Sequence, residues 1–353
     1  MKGMLNNCPN LSSLDISYTP PGRMQTSGQN GTQQNGDWQH LPADDLFLFG
    51  RWPRLTSLTL NNLRVLAATT GWEDAASFLL AHGNIEVLNL DVTFRSHGKV
   101  VLLPNTLPKL RELKAHREVV CAILESPCFD TVLGEAESDE HCVIRPIETI
   151  KGVRLSGSIA NTSHIVSDNR LLSLLHMHGA TLKRLELTGW SELEEIRRLG
   201  DCLPNIVWLD VGRNDSGRRP TPIPTIASKT PVGNVIEWAT ILSSFPHLTT
   251  FHGVKFFYEV SVSVPTHENV SSIGITLSSA STLSLADRSR IRKNDESASL
   301  LAWKCPRLRR VDHWDETGGK VIVLVRESER DRTVGDKEAR EKARWEVRRV
   351  KQN

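Results

Sequence analysis

The residue groups in this sequence that could do chemistry are few, and their spacing argues against catalysis. The segment Asp312-His313-Trp314-Asp315 carries acidic and basic side chains, but on the strand predicted there Asp312 and His313 would point to opposite sides. His176 and His178 lie two positions apart on a predicted helix and so do not share one of its faces. The carboxylate pair at 194–195 is expected on a solvent-facing helix surface. We therefore expect a protein that is not an enzyme.

The cysteines indicate neither a disulfide scaffold nor a metal site. Six cysteines in 353 residues are too sparse for a disulfide-dependent fold. The group Cys121, Cys128, His141 and Cys142 matches no common zinc-finger spacing. The sequence also lacks the P-loop and dinucleotide-binding motifs. We expect free thiols in a reducing compartment and no metal or cofactor.

Composition limits the kind of protein and the kind of partner. Hydrophobic residues make up 39% of the chain and charged residues 24%, which is enough to build a buried core. The 43 Lys and Arg residues are balanced by 41 Asp and Glu residues, and the net charge of +2 argues against a nucleic-acid binder. No apolar run approaches a membrane span, and the start MKGMLNNCPN lacks the apolar segment of a signal peptide. We expect an intracellular monomer, in cytoplasm or nucleus, that does not contact membranes.

One phrase recurs along the chain, and it dictates the predicted fold. Its general form is apolar-Pro-x-Leu-x-x-Leu-x-Leu, and copies without the proline lie between those that have it. The copies with proline have their first leucine-type residue at Leu11, Leu55, Leu110, Ile206, Leu248 and Leu308. The copies without it begin at Ile85, Ile150, Leu182 and Val270.

The spacing within the phrase predicts a helix, a break and a strand in each unit. The last two leucines alternate with polar residues, which is the period of a half-buried strand. Proline cannot continue a helix, so it ends the one that precedes it. One such unit cannot bury its apolar side alone, and units therefore stack. We predict an α/β leucine-rich-repeat solenoid with a parallel concave sheet. The helices are predicted over Ala75–Ala81, Leu171–Met177, Leu193–Leu199, Ile236–Leu242 and Ala298–Trp303.

Composition shifts divide the chain into a repeat array and a terminal cap. The array is predicted over 1–315, with flexible insertions at about 18–40 and 212–234 and a short acidic loop at 130–142. In residues 316–353, Val321–Arg326 and Trp345–Val350 are predicted to pair as a β-hairpin around a charged excursion and to cap the open sheet edge. A helix over 336–350 is the competing interpretation.

The polar positions that flank the strand leucines are predicted to face the concave surface and to bind a protein. In the second half of the array they include large and charged side chains of the types that form binding hot spots. The candidate binding residues are Arg154, Arg184, Glu186, Trp208, Asp210, His252, Arg310, Asp312 and Trp314. The competing interpretation is that Trp208 and Trp314 pack under neighbouring loops.

The repeat phrase and the ending of the chain resemble the leucine-rich-repeat region of fungal F-box proteins. The ending runs from Cys305-Pro306-Arg307-Leu308 to Trp314 and is followed by VIVLVR and RWEVRRV. The resemblance implies the substrate-binding part of a cullin-type ubiquitin ligase, with an adaptor docked on an N-terminal F-box. Leu41–Leu46 imitates the start of an F-box, but Trp52 opens the next repeat too soon for the rest. We therefore expect adaptor binding only if an F-box lies upstream.

Two other functions are compatible with the same sequence. A free-standing leucine-rich-repeat scaffold or inhibitor would have no link to ubiquitin. A leucine-rich GTPase-activating protein would need an Arg or Asn directed from the sheet edge, and the sequence singles out none.

Overall fold

The computed structural model describes residues 8–19, 41–67, 70–94, 100–129, 144–155, 162–214, 233–258, 284–314, 320–328 and 343–351. The chain divides into two compact units, Met1–Val153 and Arg154–Asn353, which we call unit 1 and unit 2. Both consist of helices and mainly parallel strands, so the predicted α/β class is confirmed. None of the helices in the described ranges is long and apolar enough to cross a membrane.

Unit 1 is a parallel sheet with helices between its strands. The order of its main strands, β1-β3-β4-β5-β6, follows the chain, and the short β2 pairs with β3. The elements are β1 (Ser13–Ser17), β2 (Leu41–Pro42), α1 (Asp44–Phe49), β3 (Ser57–Val65), α2 (Gly71–Ala81), β4 (Val87–Phe94), β5 (Glu112–Ala115), α3 (Arg117–Glu125) and β6 (Thr149–Arg154), whose last residue belongs to unit 2.

Unit 2 repeats this arrangement and ends in antiparallel strands. Its parallel strands follow the order β7-β8-β10-β11, and β9 pairs with β7. The elements are α4 (Thr162–His178), β7 (Arg184–Trp190), α5 (Leu193–Cys202), β8 (Trp208–Asp210), β9 (Arg213–Asn214), α6 (Val235–Leu242), β10 (Thr250–His252), α7 (Leu285–Lys304), β11 (Arg310–Trp314), β12 (Lys320–Ser328) and β13 (Ala343–Lys351).

The proline phrase forms the same turn in each of its six copies. The amide of the first leucine-type residue donates to the carbonyl of the residue three positions earlier, at 3.0 to 3.3 Å. Proline is the second residue of this turn, where its fixed φ suits a type I geometry. The helices α5 and α7 end immediately before Leu203-Pro204 and Cys305-Pro306. The predicted helix–proline–strand unit is thus observed, and the proline both stops the helix and starts the turn.

The leucines of the phrase build the core on one face of each sheet. In unit 1, Leu58 aligns with Leu88, Leu88 with Leu113, and Leu113 with Ile150, and all four are completely buried. Each such side chain stabilises the fold by about 2 kcal/mol through removal of apolar surface from water. In unit 2 the corresponding row is Leu185, Leu209, Phe251 and Val311.

The strand register corrects one of the predicted repeat copies. Ile150 aligns with Leu113, the second leucine of its phrase, so this copy begins at Ile147 rather than at Ile150. Strand β10 pairs directly with β11, and the copy predicted from Val270 falls in a segment that the structure does not describe. Residues 259–283 lie outside the described part of the chain.

Two further helices, α1 and α3, were not predicted from the sequence. The helix α3 follows β5 directly, and α1 lies in the segment that imitates the start of an F-box. In α1 the Asp44 carboxylate accepts hydrogen bonds from the amides of Leu66 and Ala67, just after β3. The segment is therefore integrated into unit 1.

The predicted C-terminal hairpin pairing is confirmed. Strands β12 and β13 are antiparallel, with Val321 opposite Val350 and Arg326 opposite Trp345, and β12 also pairs with β11. The competing helix is therefore wrong for residues 343–350. The charged excursion at 329–342, the acidic loop at 130–142 and most of the insertions at 18–40 and 212–234 lie outside the described residues.

Candidate protein-binding surface

Two rows of polar side chains cross the strands of unit 2 on the face opposite its buried leucines. Parallel pairing aligns the same phrase position from strand to strand, so both rows follow from the repeat register. We call this surface the polar face. The outer row is Arg184, Trp208, Thr250 and Arg310, and the inner row is Glu186, Asp210, His252 and Asp312.

The inner row has a buried imidazole between one buried and one partly buried carboxylate. The Nε2 atom of His252 lies 3.8 Å from Oδ2 of Asp210, and Nδ1 lies 3.7 Å from Oδ2 of Asp312. The side chains of His252 and Asp312 are each 8% exposed and that of Asp210 is 13% exposed. Because the strands are about 4.8 Å apart, neighbours in the row are close enough to shield one another from water.

Burial raises the pKa of the Asp210 carboxyl above its ordinary value, because the charged form loses hydration. The charge of His252 opposes this change, and so does a hydrogen bond of 2.7 Å from the Gly212 amide to Oδ1. Gly212 has a φ of 64°, and a Cβ atom there would lie 2.5 Å from the carbonyl oxygen of Leu187. Only glycine therefore allows the chain to turn here and direct its amide at Asp210.

In the outer row, Arg184 is stacked on Trp208. Its guanidinium carbon lies 4.0 Å from the centroid of the indole, within the range of a cation–π interaction. Its Nη2 atom lies 3.7 Å from Oε2 of Glu186, an ion-pair distance without a hydrogen bond. Trp208 is half-buried, so the stack covers part of the ring and leaves part of it accessible.

At the other end of the row, the guanidinium of Arg310 is held through one nitrogen by the described residues. Its Nε donates a hydrogen bond of 2.8 Å to Oδ2 of Asp312. The Asp312 side chain is almost fully buried, whereas that of Arg310 is 50% exposed. The inner row thus fixes the direction in which the outer row projects.

The structure brings together seven of the nine predicted binding residues in these rows. Arg154 is not in the aligned series, because the corrected register of β6 puts Lys151 beside Lys114 and leaves Arg154 exposed at the strand end. The backbone of Trp314 pairs with Val321, and its side chain lies outside the described part. The alternative that Trp208 packs under a neighbouring loop is not tested, because residues 215–232 also lie outside the described part of the chain.

Sequence reasoning missed the contacts between inner-row residues. It compared Asp312 with its sequence neighbour His313, although the carboxylate lies beside His252 of the adjacent strand. It also left Thr250 out of the candidate set, although this residue occupies the outer row between Trp208 and Arg310. The signal for both was present, because aligning the phrases gives the register directly.

The corresponding face of unit 1 carries neutral hydrogen bonds and ion pairs. The Asn89 amide nitrogen donates to Oδ1 of Asn61 at 3.2 Å, and the Asn61 amide donates to the Ser17 hydroxyl at 3.0 Å. The Nζ atom of Lys151 donates a hydrogen bond of 2.5 Å to Oε1 of Glu112. Across the described residues of both units, no cluster of His, Cys, Asp and Glu has a geometry suited to a metal ion. Cys121, Cys128 and Cys305 are buried cysteines, and Cys8 is an exposed one.

Comparison with known proteins adds no relative: no protein-family model matches this chain, and no curated protein is similar to it.

Proposed function

We propose that this chain is a non-enzymatic protein-recognition module built as a leucine-rich-repeat solenoid, related to the substrate-binding part of an F-box protein. The observation that carries the proposal is the polar face of unit 2. There, side chains at equivalent repeat positions form two registered rows on the face that the leucines leave free. Registered rows on repeated strands are how repeat proteins build a binding surface.

The residue types of the outer row favour a protein partner. Trp and Arg are enriched among residues that dominate binding energies, because both bury large contact areas and the planar guanidinium of Arg loses less conformational freedom per hydrogen bond formed. Arg184 is preorganised by its stack on Trp208, and Arg310 by its bond to Asp312. The antiparallel β12 and β13 extend the sheet beyond β11, in keeping with a cap for the end of the repeats.

A pull-down with matched variants tests the proposal. The bait would be the wild-type chain, the Trp208→Ala variant and the Arg292→Ala variant. Arg292 lies on α7 with its side chain 75% exposed, so its loss changes a surface charge away from the polar face. We expect partners that wild type and Arg292→Ala retain but Trp208→Ala loses. If the Trp208→Ala variant folds and retains the same partners, the polar face is not the binding surface.

A second bait separates the ligase function from the scaffold function. The same chain fused to an intact F-box should capture adaptor and cullin and increase ubiquitination of the retained partner. If the fusion captures adaptor and cullin but leaves the partner unmodified, the scaffold or inhibitor function is favoured instead.

A further inference from the structure

The exposed part of the polar face differs in charge from its buried part. The inner row has three carboxylates, but Asp210 and Asp312 are shielded beside His252. The side chains that reach solvent are Arg184 at 42%, Glu186 at 38% and Arg310 at 50%. A partner would therefore meet two guanidinium groups, one carboxylate and the accessible part of an indole.

Both guanidinium groups have N–H donors that the described residues do not use. Among the described residues, no hydrogen bond uses the terminal nitrogens of Arg310, since Asp312 accepts from Nε alone. The terminal nitrogens of Arg184 likewise make no hydrogen bond within the described part of the chain, because Glu186 is 3.7 Å away. Guanidinium groups that are oriented but not saturated are suited to forked, two-point binding of a carboxylate.

The spacing of the outer row sets the spacing of the groups it can bind. Arg184 and Arg310 are separated by three strand intervals, or about 14 Å at the usual strand distance. An extended chain advances about 3.4 Å per residue, so about four residues cover this distance. Trp208 and Thr250 lie between the two arginines and would face the middle of such a segment.

We propose that the partner of the polar face binds through an extended acidic segment, with two Asp or Glu side chains about four residues apart and an apolar residue between them. Arg184 and Arg310 bind the two carboxylates, and Trp208 packs against the apolar residue. Asp312 acts as a positioning residue for Arg310. This inference rests on the proposed function and adds the chemistry of the partner to it.

Selection from a peptide library tests the charge and the spacing together. A library of randomised linear peptides would be selected on the full wild-type chain, and the enriched peptides would be measured by fluorescence polarisation. We expect acidic pairs separated by three to five positions around an apolar residue. Binding should weaken about tenfold in Arg184→Gln and in Arg310→Gln, and should remain unchanged in Arg292→Gln. The variant Arg310→Lys keeps the charge without the fork and should be intermediate.

Several outcomes would overturn the inference. They are enrichment without acidic pairs, recovery of no binding peptide, and binding that the arginine variants leave intact. Enrichment of basic peptides that lose affinity in Glu186→Gln would show the opposite charge preference. Self-association of the chain that both arginine variants abolish would identify a second copy as the occupant.

The same panel separates this inference from the proposed function. If Trp208→Ala loses its pull-down partners while the selected peptides have no acidic pairs, protein recognition stands and the acidic segment is wrong. If Trp208→Ala loses neither partners nor selected peptides, both fall. Thermal melts of every variant would confirm that each remains folded, as expected for half-exposed side chains.

Discussion

Two buried histidines, one from each unit, are stabilised in different ways. His82 of unit 1 lies among core side chains and bonds to the backbone. Its Nε2 accepts from the Trp52 amide at 2.9 Å, and its Nδ1 lies 2.7 Å from the Phe78 carbonyl oxygen. His252 of unit 2 lies on the polar face between the carboxylates of Asp210 and Asp312. His82 links the end of a helix to a repeat turn, whereas His252 belongs to a row of side chains.

Arg145 and Arg310 show the same difference. Arg145 is 2% exposed and donates to the carbonyl oxygens of Thr106, Ile123 and Ser126, two of which lie at the end of α3. Within the described residues the side chain of Arg310 makes one hydrogen bond, and it is half exposed. Bonds from a side chain to the backbone contribute to stability, while partly satisfied side chains on a surface remain available to a partner. The variants below should separate these two roles.

The largest effect is expected from Leu209→Asp. Leu209 is completely buried between Leu185 and Phe251, so a carboxylate there would lose its hydration without a partner. We expect unit 2 to lose more than about 4 kcal/mol. Hydrogen exchange of the β7 and β10 amides would measure this loss. Unchanged protection of those strands would contradict their packing through Leu209.

Arg145→Met is expected to cost about 3 kcal/mol in the stability of unit 1. The substitution keeps an unbranched stem but removes the guanidinium group, so carbonyl oxygens at the end of α3 and at Thr106 lose their donor. Urea unfolding would measure the loss, and Arg310→Met is the control, with little expected change. Equal losses in the two variants would contradict the distinction between structural and surface arginines.

The features of the fold that could be predicted from the sequence are those whose physical cause is local. Helix ends and strand positions followed from the proline phrase because the turn forms within four residues. The register of β6 could not be predicted in this way. Its apolar residues Ile147, Ile150, Val153 and Leu155 are all buried and fit two alignments of the phrase. Gly152, with a φ of 83°, interrupts the strand geometry between them. A single sequence does not reveal that conformation.

The sequence alignment named most residues of the polar face but not their arrangement. Aligning the phrases was sufficient to place Asp210, His252 and Asp312 on one face. It did not show which side chains would be buried. The stack of Arg184 on Trp208 and the bond from Arg310 to Asp312 depend on rotamers, which the spacing of residues leaves undetermined.

His82 should make the stability of unit 1 depend on pH. Burial lowers the pKa of its imidazole below the ordinary value of 6.5, and Arg51 acts in the same direction against the Phe78 carbonyl. The folded state therefore favours neutral His82, and its contribution is present above pH 6.5 and is lost as the pH falls through the lowered pKa.

Replacement of His82 by Phe removes both hydrogen bonds and should cost about 2 kcal/mol near neutral pH. The difference from wild type should shrink in acid, because Phe does not titrate. Urea unfolding of both proteins at about pH 7.5 and about pH 5 would measure this change. A difference that is the same at both values would show that His82 acts only through packing.

The smallest effect is expected from Asp210→Asn, which keeps the shape of the side chain and removes its charge. Because burial raises the pKa of Asp210 above its ordinary value of 3.8, the folded state favours the protonated acid. This contribution is complete below pH 3.8 and is lost as the pH rises through the raised pKa. Glu186 adds to the raised pKa, while His252, the Gly212 amide and Arg184 oppose it, so the net change should stay under about 1 kcal/mol.

Unfolding between about pH 3.5 and about pH 6 should therefore show wild type losing stability relative to Asp210→Asn as the pH rises. The opposite trend would mean that His252 stabilises ionised Asp210 by more than burial disfavours it. The inner row would then contribute to stability, as His82 and Arg145 of unit 1 do through their hydrogen bonds to the backbone.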